Sequence, residues 1–234
     1  MFTKNKPRAS VGRPRRGRPP GPTPQAAETR AELYRIAIEL FAEHGYEGVP
    51  VWAIAAKAGV NKALISYHFG GKRKLYLAIV SATFSEIVAS VERIADSSRP
   101  APELLRELIA AVGTMVTEHH PHFCTMMLRE VLAGGKHLEP ELIEQPARLL
   151  AAVQRIVARG VREGAFRPVD PLLTHLSLVG SLVFFFATTR FRERVLAARH
   201  PRFKAPDAAA YVRHIQDLLA HGLAAAPASV RGRA

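Results

Sequence analysis

From Thr29 to Leu223 the apolar side chains recur at intervals of three and four residues, and no stretch alternates apolar with polar in the manner of a strand. Residues three and four apart share one face of a helix. The pattern therefore predicts an all-α chain, cut into segments by proline and glycine. Leu33, Ile36, Ala37, Leu40 and Phe41 mark a first helix, with Thr29 as its expected cap and Gly45 directly after its last residue, His44. Val51–Ala58, begun by Pro50, predicts a short second helix, because proline suits a first turn. Lys62–Phe69 predicts a third, with Asn61 as its N-cap and Gly70-Gly71 as its stop. A long fourth helix is expected from Lys72 to about Ala95. Further helices are expected at about 102–118, 121–133, 140–163, 170–196 and 207–224, separated by Pro121, Gly134-Gly135, Gly164 to Pro168, and Pro201 to Pro206.

The composition supports a folded core: 48% of the 234 residues are apolar and 23% charged. Cys124 is the sole cysteine, which excludes an intrachain disulfide and suits a reducing cytoplasm. The longest apolar run, Leu172 to Ala187, includes Thr174, His175, Ser177 and Ser181 and falls short of the roughly 20 residues of a membrane span. It reads as a buried helix. No signal-like apolar core opens the chain, so a cytoplasmic protein without a membrane partner is expected.

Between the second and third predicted helices stands a tight turn, Gly59-Val60. Helix, tight turn and short helix make a helix-turn-helix arrangement. A third helix this short must be packed by its neighbours. If Ile54, Ala55, Ala58, Val60, Ile65 and Phe69 do that packing, then Lys62, Ala63, Ser66 and Tyr67 face outward. Lysine and serine donate to phosphates and base edges, and tyrosine adds a hydroxyl and an apolar edge for thymine methyls. From Gly48 to Ser85 there is no acid, while Lys57, Lys62, Lys72, Arg73 and Lys74 are basic. A one-sided charge favours polyanions, although charge alone is equally that of a solvated face.

Three blocks, "ELFAEHGYEG" from Glu39, "IAAKAGVNKALISYHF" from Ile54 and "GGKRKLY" from Gly70, lie within a stretch, Thr29 to Val80, that resembles the DNA-binding domain of the tetracycline-repressor (TetR) family. The resemblance implies that Lys62–Phe69 is the recognition helix and that Lys62, Ala63, Ser66 and Tyr67 meet bases and phosphates. It further implies that His68 touches the DNA backbone and that Lys72 binds phosphate. One position departs from the family's pattern: Pro50 stands where Ser or Thr commonly donates to phosphate, and proline cannot donate. For the rest of the chain the resemblance implies a long helix leading to a C-terminal helical bundle that binds a small-molecule effector and pairs two copies through the last two helices.

Residues 1–25 carry seven basic side chains, six prolines, three glycines and no acid. Such a segment buries too little to offset its ordering entropy. It reads as a disordered basic arm, and Arg16-Gly17-Arg18-Pro19 matches the core of an AT-hook, with Arg16 and Arg18 as minor-groove candidates. The expected organisation is then the arm (1–25), a helix-turn-helix domain (26–72), a regulatory and dimerisation domain (73–224) and a disordered tail (225–234).

Candidate pocket residues in the C-terminal region are Met115, His119, Met126, Met127, Arg129, His175 and Phe184, with most of the Met and Phe residues equally suited to a plain core. Arg129-Glu130 reads as an ion pair or as a polar anchor in that pocket. His119, His120, His122 and Cys124 have metal-binding chemistry, but Pro121 breaks the spacing, and no metal or other cofactor is expected. No G-x-S-x-G, Gly-rich phosphate loop or H-E-x-x-H is present, so catalysis is not expected. The best reading is a homodimeric regulator, a repressor, that binds double-stranded DNA at a pseudo-palindromic operator and leaves it on binding an effector. The alternatives are an architectural DNA-binding protein and a helical small-molecule carrier. The intact basic face argues against the second, and a helical region of roughly 130 residues argues against the first.

Overall fold

The computed structural model describes residues 23–199 and 205–226, and these form ten α-helices without a strand. In order they are α1 (Pro24–His44), α2 (Val51–Lys57), α3 (Ala63–Phe69), α4 (Lys72–Ala95), α5 (Ala101–Thr114), α6 (Phe123–Leu132), α7 (Pro140–Arg162), α8 (Pro171–Ala187), α9 (Thr189–Arg199) and α10 (Ala208–Leu223). A π-helical turn, Met115–His119, ends α5. The arm with Arg16 and Arg18 lies outside the described residues, apart from Thr23 to Gln25, as does most of the C-terminal tail.

α1 begins earlier than the sequence suggests. Thr23, not Thr29, is its N-cap, accepting from the Ala26 amide, and Pro24 opens the first turn. Thr29 instead turns its hydroxyl back to the Gln25 carbonyl within the helix. Gly45, at φ 72°, then ends α1 in a conformation that glycine adopts without strain.

α2 and α3 are seven residues each, too short to persist alone. Ile54 and Ile65 are fully buried and Phe69 nearly so, against α1 and α4. Burial of each such side chain stabilises by about 1.5–3 kcal/mol, so the hairpin is held by packing. α4 runs from this small domain into the larger one, where it packs on α5 and α7. By length and composition α4 could cross a membrane, as could α8 and α9 taken as one bent pair; over half of the α4 stretch is buried inside the protein.

The larger domain is a bundle in which α5 touches α4, α7 and α10, while α8 lies on α6 and α7. Leu104, Leu105, Leu108 and Ile109 of α5 meet Ala152, Val153, Ile156 and Val157 of α7 in one continuous core.

The expected single helix over 170–196 is two, bent by 63° at Thr188. No glycine or proline announces the break. Thr188 donates to the Phe184 carbonyl, Thr189 to those of Phe185 and Phe186, and Arg192 to that of Phe185. Side chains thus satisfy the last carbonyls of α8, and the helix ends. α8 is also not buried all round. Thr174, His175, Leu178, Leu182 and Phe185 face the core, while Leu172, Leu173, Leu176 and Phe184 face solvent.

Candidate DNA-binding surface

The α2–α3 turn places Gly59 at φ 66°; Lys62, not the expected Asn61, is the N-cap of α3, and the Asn61 side chain accepts from the Ala63 amide at 2.8 Å just before it. This fixes which way α3 faces. Ile65 and Phe69 point inward, whereas Lys62, Ala63, Ser66 and Tyr67 are exposed, Tyr67 by 77%. His68 is half-buried, its ring edge-on to Tyr67 at 4.9 Å. One helix face therefore carries an ammonium, a hydroxyl, a phenol and a methyl, with no acid among them.

α4 starts directly beside α3. Its first residue, Lys72, is half-buried, and its ammonium lies 4.2 Å above the Tyr46 ring. Burial lowers its pKa, and Glu47 partly opposes that shift. The N-cap, Gly71, has no side chain to satisfy the first amides of α4. A helix N-terminus with free amides and a lysine suits a phosphate.

Not every basic residue of this stretch is available. Lys57 pairs with Glu39 at 2.9 Å, and Arg73 reaches Glu139 at 3.7 Å. Lys62 and Lys74 have no ion-pair partner among the described residues. Pro50, as expected, caps α2 without a side-chain hydrogen bond. Two residues later Trp52, outside the residues expected to meet DNA, is 66% exposed on the first turn of α2. A large aromatic that leaves a helix stripe formed by Ile54 and Ala55 is the signal that could have found it.

The candidate pocket residues do not converge on one cavity. His119 and Met126 line a cleft of about 250 Å³ between α1, α4 and the π-turn. Met126 and Arg129 line another of about 200 Å³ under the α1–α2 turn. Met115 and Met127 are packed in the core, His175 is buried on α8, and Phe184 is 65% exposed on its outer face. A third cleft, of about 740 Å³, includes none of the seven. It lies between Glu39, Glu43 and Lys57 of the small domain and Val116, His122, Phe185, Phe186, Arg190 and Arg192 of the large one.

Arg129 and Glu130 do not form an ion pair with each other, and both line the 200 Å³ cleft. Adjacent on α6, they turn to different partners, Arg129 to the end of α1 and Glu130 to α4 and the loop after α6. Arg129 donates to the Ala42 and Glu43 carbonyls at 3.2 and 2.9 Å, closing the C-terminus of α1. Glu130 is buried and accepts from the Tyr76 hydroxyl and the His137 amide, both at 2.9 Å. Burial, and then this hydrogen bond, raises the Tyr76 hydroxyl far above the usual phenol range, so it stays a donor.

His119, His120, His122 and Cys124 likewise do not gather. His120 turns to Glu86 at 2.8 Å, and burial pushes the Cys124 thiol up to about 12. Among the described residues no three His, Cys, Asp or Glu side chains are grouped to hold a metal.

Residues 33–79 match the family model of bacterial regulatory proteins, tetR family, and residues 100–219 that of the tetracyclin repressor-like C-terminal domain. The chain belongs to the TetR family. It is a helix-turn-helix transcriptional regulator. Among curated relatives it is similar to the HTH-type transcriptional repressor NicS of Pseudomonas putida, with 27% identity over 71% of this chain and 79% of that one. Another is the HTH-type transcriptional repressor AcnR of Corynebacterium efficiens, 36% identical over 64% of this chain and 77% of the relative. Among solved TetR structures, PfmR from Thermus thermophilus superposes with a TM-score of 0.64 at 28% identity, covering 81% of this chain and 97% of that one.

Proposed function

We propose that the protein is a homodimeric repressor that reads a pseudo-palindromic operator through Lys62, Ala63, Ser66 and Tyr67, with His68 and Lys72 on phosphate. The observation that carries this reading is the division of α3 into an inward Ile65/Phe69 face and an acid-free outward face. Trp52 offers an indole N–H on the first turn of α2, where Pro50 has none to give. The relatives' names support repression. The outer stripe of α8, at Leu172, Leu176, Gly180 and Phe184, supports dimerisation, because an apolar face of that length asks for a cover. Two copies joined there present two α3 helices, and protein symmetry is mirrored in the site.

Release follows from an effector in the 740 Å³ cleft. A ligand wedged between the two domains moves the recognition helices only so far as it binds the released arrangement more tightly. Its lining mixes Phe185 and Phe186 with Arg190, Glu193 and Glu43, which suits an amphipathic molecule.

The direct test is equilibrium binding to an operator obtained by selection from random DNA. Tyr67→Ala and Lys62→Ala should each lose about 1–3 kcal/mol of selective affinity. Both should melt with the parent, because neither side chain fills a core. Earlier melting would show that their orientation is misassigned.

The arm, residues 1–25, adds affinity and salt sensitivity but little sequence choice. If half of its seven charges meet phosphates, removing the residues before Pro24 should flatten the slope of log affinity against log salt by roughly 3. An unchanged slope would show that the arm is idle. A lost preference for A·T-rich flanks would identify Arg16 and Arg18 as minor-groove contacts.

A further inference from the structure

The corner between α6 and α7 holds a histidine between two carboxylates that belong to different domains. His137 Nδ1 lies 3.0 Å from Glu130 Oε2, and Nε2 lies 3.0 Å from Glu47 Oε1. A carboxylate only accepts, so both contacts are hydrogen bonds only when both ring nitrogens carry protons. The ring also lies 4.5 Å from that of Tyr46. Tyr46 in turn carries the Lys72 ammonium over its ring, at 4.2 Å. Glu130 cannot follow the histidine if it moves, because the Tyr76 hydroxyl and the His137 amide hold it. Glu47, in contrast, is exposed and hangs on the ring and on Lys136, at 3.2 Å.

We propose that His137 is a positioning residue for DNA binding: as an imidazolium it ties the α1–α2 turn to the regulatory domain and so sets Tyr46, and through it Lys72, in the place from which Lys72 meets phosphate. The inference rests on the assignment of Lys72 to the DNA face. It adds a proton-dependent link that the recognition helix does not need in order to fold. Loss of one ring proton removes one of the two carboxylate contacts, and the contact to exposed Glu47 is the one with fewer other supports. The charged and titratable groups around the ring are Glu130 from α6, Tyr76 and Lys72 from α4, and Tyr46 and Glu47 from the α1–α2 turn. Lys136 adjoins it in sequence, and His44 and Arg129 share its cleft. Of these only Glu130 and Glu47 accept from the ring.

The two possible roles of Glu47 predict effects of opposite sign. A plain surface acid near DNA repels phosphate, so Glu47→Gln would tighten binding. A carboxylate that holds the turn in place should, when neutralised, weaken it by roughly 2- to 30-fold. The experiment is fluorescence anisotropy with the full chain on its selected operator, at fixed ionic strength, over about pH 5 to about pH 9, where histidine changes charge. Parent affinity should fall with rising pH by a comparable factor. Glu47→Gln and His137→Gln should each bind more weakly at the acid end and lose that share of the pH dependence, while Glu47→Gln, altered at an exposed site, melts with the parent. Lys72→Ala is measured beside them. A loss in Lys72→Ala together with equal or tighter binding by Glu47→Gln, or with the parent's full pH dependence in that variant, would overturn the positioning role alone. Unchanged binding by Lys72→Ala would overturn the assignment of Lys72 to the DNA face, and the link with it.

Discussion

Leu176→Arg is expected to convert the protein to a monomer and to lower operator affinity by about 10²- to 10⁴-fold, the gain that joining two half-site readers ordinarily provides. Leu176 is 56% exposed at the middle of the α8 stripe, with Leu172 and Leu173 before it and Phe184 beyond. A Cβ built on Gly180 meets nothing within 4 Å, so a partner helix can approach closely there. In a two-fold contact the same patch serves both copies, and each arginine would be buried against the partner's apolar face. The substitution leaves the fold of one chain intact, because the side chain does not enter the core. Sedimentation and operator binding on one sample check it. A dimer that persists in Leu176→Arg would remove α8 from the interface.

Glu130→Ala should destabilise the chain by about 3–5 kcal/mol, the range for breaking a buried ionic group from its partners. Three donors lose their acceptor together: the Tyr76 hydroxyl, the His137 amide and the His137 ring. Tyr76 is itself buried and edge-on to Phe41 at 5.1 Å, so its hydroxyl loses the carboxylate that holds it inside the protein. For a chain of this size the loss corresponds to a fall in Tm of roughly 6–20 °C. Glu130→Gln keeps the acceptor oxygen and should fall less. Thermal unfolding of the two variants separates the lost hydrogen bonds from the lost charge, and equal melting of Glu130→Ala and the parent would refute the structural role of this cluster.

The helix-turn-helix was legible because its signals are local. Gly59 and Gly70 mark ends through backbone geometry, Asn61 through its side-chain oxygen, and Ile54, Ile65 and Phe69 mark the inner face through spacing. α4 likewise runs from Lys72 to Ala95 as its periodicity predicts. Long-range satisfaction was not legible. Nothing near Arg129 in sequence announces that its partners are carbonyls of α1, 86 and 87 residues earlier. Nor does a lone His137 announce Glu47, 90 residues away. The break at Thr188 escaped for a related reason: threonine and arginine side chains ended α8 where the usual glycine or proline is missing. The outer face of α8 was visible as apolarity, but only the packed chain tells which side its own core covers.

The most direct test of the central claim is footprinting of the full-length protein on DNA selected from a random pool, with the copy number of the complex measured in parallel. The expected result is a two-fold symmetric site whose half-sites lie about one helical turn or a multiple apart, occupied by paired copies, with protection at the base positions lost in the Lys62→Ala/Tyr67→Ala double variant. An asymmetric site held by one copy, or a footprint that the double variant leaves unchanged, would contradict it.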